Sequence, residues 1–68
     1  NISPEEYLLK VRMTKASDML VGTDNSILKI ATAVGYKDLS HFSSVFKRFF
    51  GIAPTTYRYR KGEETIYV

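Results

Sequence analysis

The segment from Leu39 to Phe50 reads LSHFSSVFKRFF, and it gathers groups able to do recognition chemistry. Ser40, Ser43 and Ser44 bring short hydroxyls, and His41 brings an imidazole, so each can donate to or accept from base edges or phosphate oxygens. Lys47 and Arg48 follow within a few residues, and their cations suit phosphate. Thr55 and Thr56, beside Pro54 at a further helix start, offer hydroxyls and free backbone N–H groups to the same kind of anion. Catalysis is a poorer fit to these residues. Asp38 is the one acid near His41 and is better used as a helix cap. Ser40, His41 and Asp38 are sequence neighbours that do not face one another as a triad must. With no Cys and one His there is no metal centre to assemble, and the four separated glycines make no phosphate loop, so neither enzyme nor cofactor is expected.

A protruding helix must carry these groups, and the surrounding sequence supplies it. Asp38 is a natural N-cap for a helix over 39–50. Phe42, Phe46 and Phe50 fall at i, i+4 and i+8, flanked by Val45 and Phe49, an apolar line that belongs in a core. Before it, Asn25 or Ser26 caps a short helix whose Ile27, Ile30, Ala31 and Val34 share one face, and Gly35 ends it. Short helix, glycine turn and second capped helix form the pattern of a helix-turn-helix over 26–50.

A longer helix comes first, over 3–21. Ser3-Pro4-Glu5-Glu6 reads as N-cap, first-turn proline and capping box, with the two carboxylates at the positive end of the helix dipole. Tyr7, Leu8, Val11, Ala16, Met19 and Leu20 follow helical spacing as an apolar stripe. Gly22 stands where a left-handed C-terminal residue would close it. A last helix is expected over 54–61, stopped by Gly62, with Ala53 as a poor N-cap. Residues 63–68, EETIYV, read as a tail, with Thr65 to Val68 either a short strand or a mobile end.

Length and charge narrow the class. At 68 residues the chain is one small domain at most, or part of one. No apolar run approaches the roughly 20 residues that cross a bilayer, which with the absence of Cys fits a cytoplasmic protein. Net charge is +3, unevenly spread. Residues 26–62 hold Lys29, Lys37, Lys47, Arg48, Arg58, Arg60 and Lys61 against Asp38 alone. A basic field on that half attracts polyanions and speeds their encounter. Charge alone fits a solvated basic face equally; with the helix-turn-helix pattern and the hydroxyl-rich helix over 39–50, double-stranded DNA is the expected partner. The competing class is a helical protein-interaction module, through the outer face of 3–21 or the EETIYV end.

The residues also resemble a family. The run YLLKVRMTKASDMLVGTDNSILKIATAVGYKDLSHFSSVFKRFFGIAPTTYR is similar to the second half of an AraC/XylS-type DNA-binding domain. The matching positions include Tyr7, Leu8, Arg12, Ala16 and Leu20, then Ile27, Ile30, Ala31, Gly35-Tyr36, Asp38, Ser40 to Ser43, Phe46 to Arg48, Phe50-Gly51, Pro54 and Tyr57-Arg58. The resemblance implies a bacterial transcription regulator with an all-α, homeodomain-like subdomain of three to four helices. Residues 3–21 would be the long helix joining two helix-turn-helix units, and 39–50 the recognition helix of the second. The first unit would precede Asn1, and an effector or signal-receiver domain would belong to the full protein. Contacts with RNA polymerase are also allowed. Carried over by position, Leu39, Ser40, His41 and Ser44 are base-edge candidates. Ser43, Lys47, Arg48, Thr55 and Thr56 are phosphate candidates. Two positions depart from the family pattern. Ser44 stands where arginine is frequent, which removes a long bidentate guanine reader, and Ala53 stands where Ser or Thr is usual.

Overall fold

A computed structural model describes residues 2–66, with side chains through residue 60. Four helices follow one another: α1 (Pro4–Gly22), α2 (Ile27–Ala33), α3 (Leu39–Phe50) and α4 (Pro54–Ile66). Three of the starts are local chemistry. Ser3 Oγ accepts from the Glu6 N–H at 3.1 Å and donates to Glu6 Oε1 at 3.2 Å. Ser26 Oγ accepts from the Lys29 N–H at 3.1 Å, so Ser26 rather than Asn25 is the cap of α2. Asp38 Oδ1 accepts from the Ser40 N–H at 2.8 Å. Each cap satisfies one of the orphan donors of a helix first turn, for about 1 kcal/mol.

The turn between α2 and α3 needs its glycine. Gly35 has φ 101°, a left-handed conformation, and the Tyr36 N–H reaches back to the Ala31 carbonyl at 2.9 Å. That reversal turns α3 across α2. Gly51, at φ 85°, closes α3 by donating its N–H to the Lys47 carbonyl at 2.7 Å.

The core lies where α3 meets the other three helices. Phe42 and Phe46 are fully buried with Met13, Ala16, Leu20, Ile30 and Ala31. Rings continue the packing: Phe46 lies 5.8 Å from Phe42, 4.6 Å from Phe50 and 5.4 Å from Tyr57 on α4. Burying a phenylalanine contributes roughly 1.5–3 kcal/mol, so this ladder accounts for much of what holds so small a unit together.

Three sequence expectations are corrected. Gly22 is not a left-handed cap; it is the last helical residue of α1. Thr23 closes the helix instead, its N–H at 3.1 Å and its hydroxyl at 2.7 Å both donating to the Met19 carbonyl. The hydroxyl also accepts from the Asn25 N–H at 3.2 Å, so a threonine side chain does what a positive φ would otherwise do. Second, the apolar residues of α1 do not form one buried stripe. Met13, Ala16, Ser17 and Leu20 face the core, whereas Tyr7, Leu8 and Val11 are 62%, 48% and 43% exposed. Packing selects the face that α2, α3 and α4 can reach, and α1 is apolar on more than that face. Third, α4 does not stop at Gly62 but continues to Ile66. An interior glycine costs only about 1 kcal/mol relative to alanine, and no proline follows to end the helix. Thr65 and Ile66 are therefore helical rather than strand, while Tyr67 and Val68 lie outside the described residues.

Candidate nucleic-acid interface

Because Phe42 and Phe46 pin one side of α3 into the core, the opposite side is presented outward. Ser40, Ser44, Lys47 and Arg48 stand at i, i+4, i+7 and i+8, which places them together on that side, and all four are exposed. Leu39, Ser43 and Lys47 form the flank on one edge, with Ser43 half-buried beside the aromatic ladder. His41 and Arg48 form the other flank. The His41 ring meets the Tyr36 ring edge-on at 5.3 Å, so the imidazole is braced by an aromatic neighbour. Six of the seven α3 candidates are thus exposed and Ser43 is half-buried, with Leu39 at the helix start nearest the aromatic side and Arg48 one turn from Ser44.

Thr55 and Thr56 are not part of that row. They are exposed in the first turn of α4 and line a shallow groove of about 280 Å³ with Tyr59 and Arg60. Tyr59 and Arg60 escaped notice as site residues in the sequence. Their signal was the i+4 spacing from Thr55 and Thr56, one turn further along the same face.

The basic residues separate into two uses once contacts are known. Arg58 is spent on the protein. Its Nε donates to the Leu20 carbonyl at 2.9 Å, and its Nη2 to the carbonyls of Asn25 at 2.7 Å and Thr23 at 3.2 Å. Arg12 lies over the Tyr36 ring, 5.6 Å from the centroid. Lys47 and Arg48 have no hydrogen-bond or ion-pair partner among the described residues and remain available to an anion. Among the described residues no cluster of His, Asp and Glu has the form of a metal site. No described helix is long and apolar enough to cross a membrane.

Comparison with known proteins identifies the helix-turn-helix fold. A family model described as a helix-turn-helix domain matches residues 1–60. The chain is 45% identical over 58 residues to the raffinose operon transcriptional regulatory protein RafR of Pediococcus pentosaceus, covering 85% of this chain and 21% of that protein. It is 42% identical over 60 residues to the transcriptional activator RhaR of Mannheimia succiniciproducens, covering 88% and 22%. The chain belongs to the AraC/XylS family. Within it, the chain carries a DNA-binding helix-turn-helix, of the kind found in transcription regulators. Two solved structures share the fold. The C-terminal domain of the two-component response regulator yesN from Fusobacterium nucleatum superposes with TM-score 0.82 at 38% identity, covering 84% of this chain and 55% of that one. A DNA-binding transcriptional dual regulator from Escherichia coli K-12 superposes with TM-score 0.86 at 32% identity, covering 91% and 56%. The chain therefore spans about a fifth of the curated AraC/XylS relatives it matches and about half of the solved chains.

Proposed function

We propose that this chain is the second helix-turn-helix unit of a bipartite DNA-binding domain and that it inserts α3 into a DNA major groove. The observation that carries the reading is the division of α3. Its aromatic side is buried, and its Ser40, Ser44, Lys47 and Arg48 side is exposed, with both cations unpaired. A major groove about 12 Å wide accepts one helix, and short hydroxyls allow close approach to base edges. In this arrangement Leu39, Ser40, His41 and Ser44 meet base edges. Ser43, Lys47 and Arg48 meet phosphates on either flank, and Thr55 and Thr56 add backbone contact from the start of α4. A serine at 44 leaves base reading tolerant, so binding by this unit leans on phosphate and is strongly salt-dependent.

In the full regulator, α1 serves as the joining helix. Its exposed Tyr7, Leu8 and Val11 support a protein contact on the side away from α2 and α4, and we assign that contact to a first helix-turn-helix unit. RNA polymerase is a further partner of the whole regulator, and an effector or receiver domain would set its activity. A DNA partner fits a cytoplasmic location.

Titration with mixed-sequence duplex, read by backbone amide shifts, tests the assignment. Shifts concentrated in α3 are expected, and shifts confined to α1 would overturn it. Replacing Lys47 with Ala should lower the magnitude of the log–log salt slope by about 0.9, the value for one neutralised phosphate. An unchanged slope removes Lys47 from the contact.

A further inference from the structure

We propose that the groove between α1 and α3 binds a small amphipathic carboxylate, an aromatic or branched apolar body ending in one carboxylate group. The groove measures about 500 Å³, within the range of roughly 300–1,000 Å³ typical of small-molecule sites. Leu9 from α1 and Val45 and Phe49 from α3 make its walls apolar. Its charged groups are all cationic: Arg12 from one wall and Arg48 from the other, with His41 at the rim and no acidic residue lining it.

Tyr36 adds a hydrogen-bonding hydroxyl to this cationic lining. The residue is only 8% exposed and lines the groove, and its hydroxyl has no hydrogen-bond partner among the described residues while staying open to solvent, so it can donate to a ligand oxygen. Arg12 is also held in place. Its guanidinium carbon lies 5.6 Å from the Tyr36 ring centre and 3.3 Å from where a side chain at Gly35 would begin. Glycine at 35 therefore leaves room for the guanidinium as well as making the turn. A cation fixed beforehand loses less freedom when it pairs with a carboxylate, and the planar fork suits two oxygens. The apolar walls distinguish an amphipathic acid from a bare phosphate, which would leave Leu9, Val45 and Phe49 without use.

Arg48 and His41 are shared with the surface proposed to face DNA, so an occupied groove competes with DNA; this coupling alone rests on the proposed function. Binding itself is read without DNA, by titrating the isotope-labelled 68-residue chain with 4-phenylbutyrate, its neutral amide and inorganic phosphate. Saturable shifts at Leu9, Tyr36, Val45 and Phe49 are expected with the carboxylate, and about tenfold weaker binding with the amide. Arg12→Gln should lose most of the carboxylate preference. Because Arg12 also packs on Gly35, the exposed Arg48→Gln supplies a second reading in which the preference should fall with the fold intact. Equal binding of acid and amide, phosphate matching the acid, or shifts scattered outside the groove would overturn the site while leaving the DNA assignment standing. With the probe at saturation, more duplex should be needed for half-binding; an unchanged curve overturns the coupling.

Discussion

Arg58 offers the most informative perturbation, because it belongs to the basic half of the chain whose charge invites a reading as a DNA contact. Its contacts say otherwise. The last turn of α1 leaves carbonyls without partners at the negative end of the helix dipole, and α1 has no basic residue in that turn. Arg58 reaches over from α4 to take the Leu20 carbonyl and then the Thr23 and Asn25 carbonyls of the following turn. A hydrogen bond from a charged donor contributes roughly 1.5–3 kcal/mol when well buried, and less where water competes. Two of the three bonds are part-buried and one is exposed, so Arg58→Ala should cost about 2–3 kcal/mol in total. Stabilities of about 0.05–0.15 kcal/mol per residue put a chain of this length near 3–10 kcal/mol, so the loss is large. At about 4–8 °C per kcal/mol for so small a domain, the melting temperature should fall by roughly 10–20 °C. Circular dichroism during thermal and urea unfolding measures this, with an unchanged urea slope marking a change in stability alone. Arg58→Lys should recover less than half, since an ammonium lacks the fork that spans three carbonyls. A drop of only a few degrees for Arg58→Ala would refute the latch. So would a DNA salt slope reduced by about 0.9 at conditions where the variant is folded, which would make Arg58 a phosphate contact.

The remaining predictions concern the two glycines, the cap of α3 and Ser44. Gly22→Ala should raise stability by about 0.5 kcal/mol, because Gly22 is helical with nothing within 4 Å of a new methyl group. Gly35→Ala should lower it by at least about 1–2 kcal/mol, the cost of left-handed backbone; thermal melts of the pair must move in opposite directions. Asp38→Ala removes the acceptor for the Ser40 N–H and should cost about 1 kcal/mol, with the amide-exchange loss centred on the first turn of α3. Ser44→Arg should tighten binding to duplexes carrying a correctly placed guanine and raise discrimination by about 1–3 kcal/mol. Equal tightening on every duplex would show added phosphate contact instead.

Much of the fold was legible because its signals are local. The caps at Ser3 and Asp38, the turn at Gly35 and the i+4 ladder of phenylalanines each act within one or two helical turns, so residue order alone carries them, while at α2 it left Asn25 and Ser26 as alternatives. The same spacing fixed which side of α3 would be polar, and hence most of the candidate interface. Gly22 misled because a glycine after an apolar stripe reads as a stop, while the stop was Thr23 bonding back to Met19. Gly62 misled in the same way, since one interior glycine weakens a helix by less than its neighbours can support.

Sequence by itself determined the helical class, the helix-turn-helix order and the division of α3 into an aromatic and a hydroxyl-rich side, because these follow from periodicity. Only the tertiary structure decided which apolar face of α1 is buried. It also decided that Arg58 closes α1 across 38 positions of chain, and that Arg12, Tyr36 and His41 meet beside one groove. Those outcomes depend on how helices cross, and a crossing brings together residues whose separation in sequence holds no periodic trace.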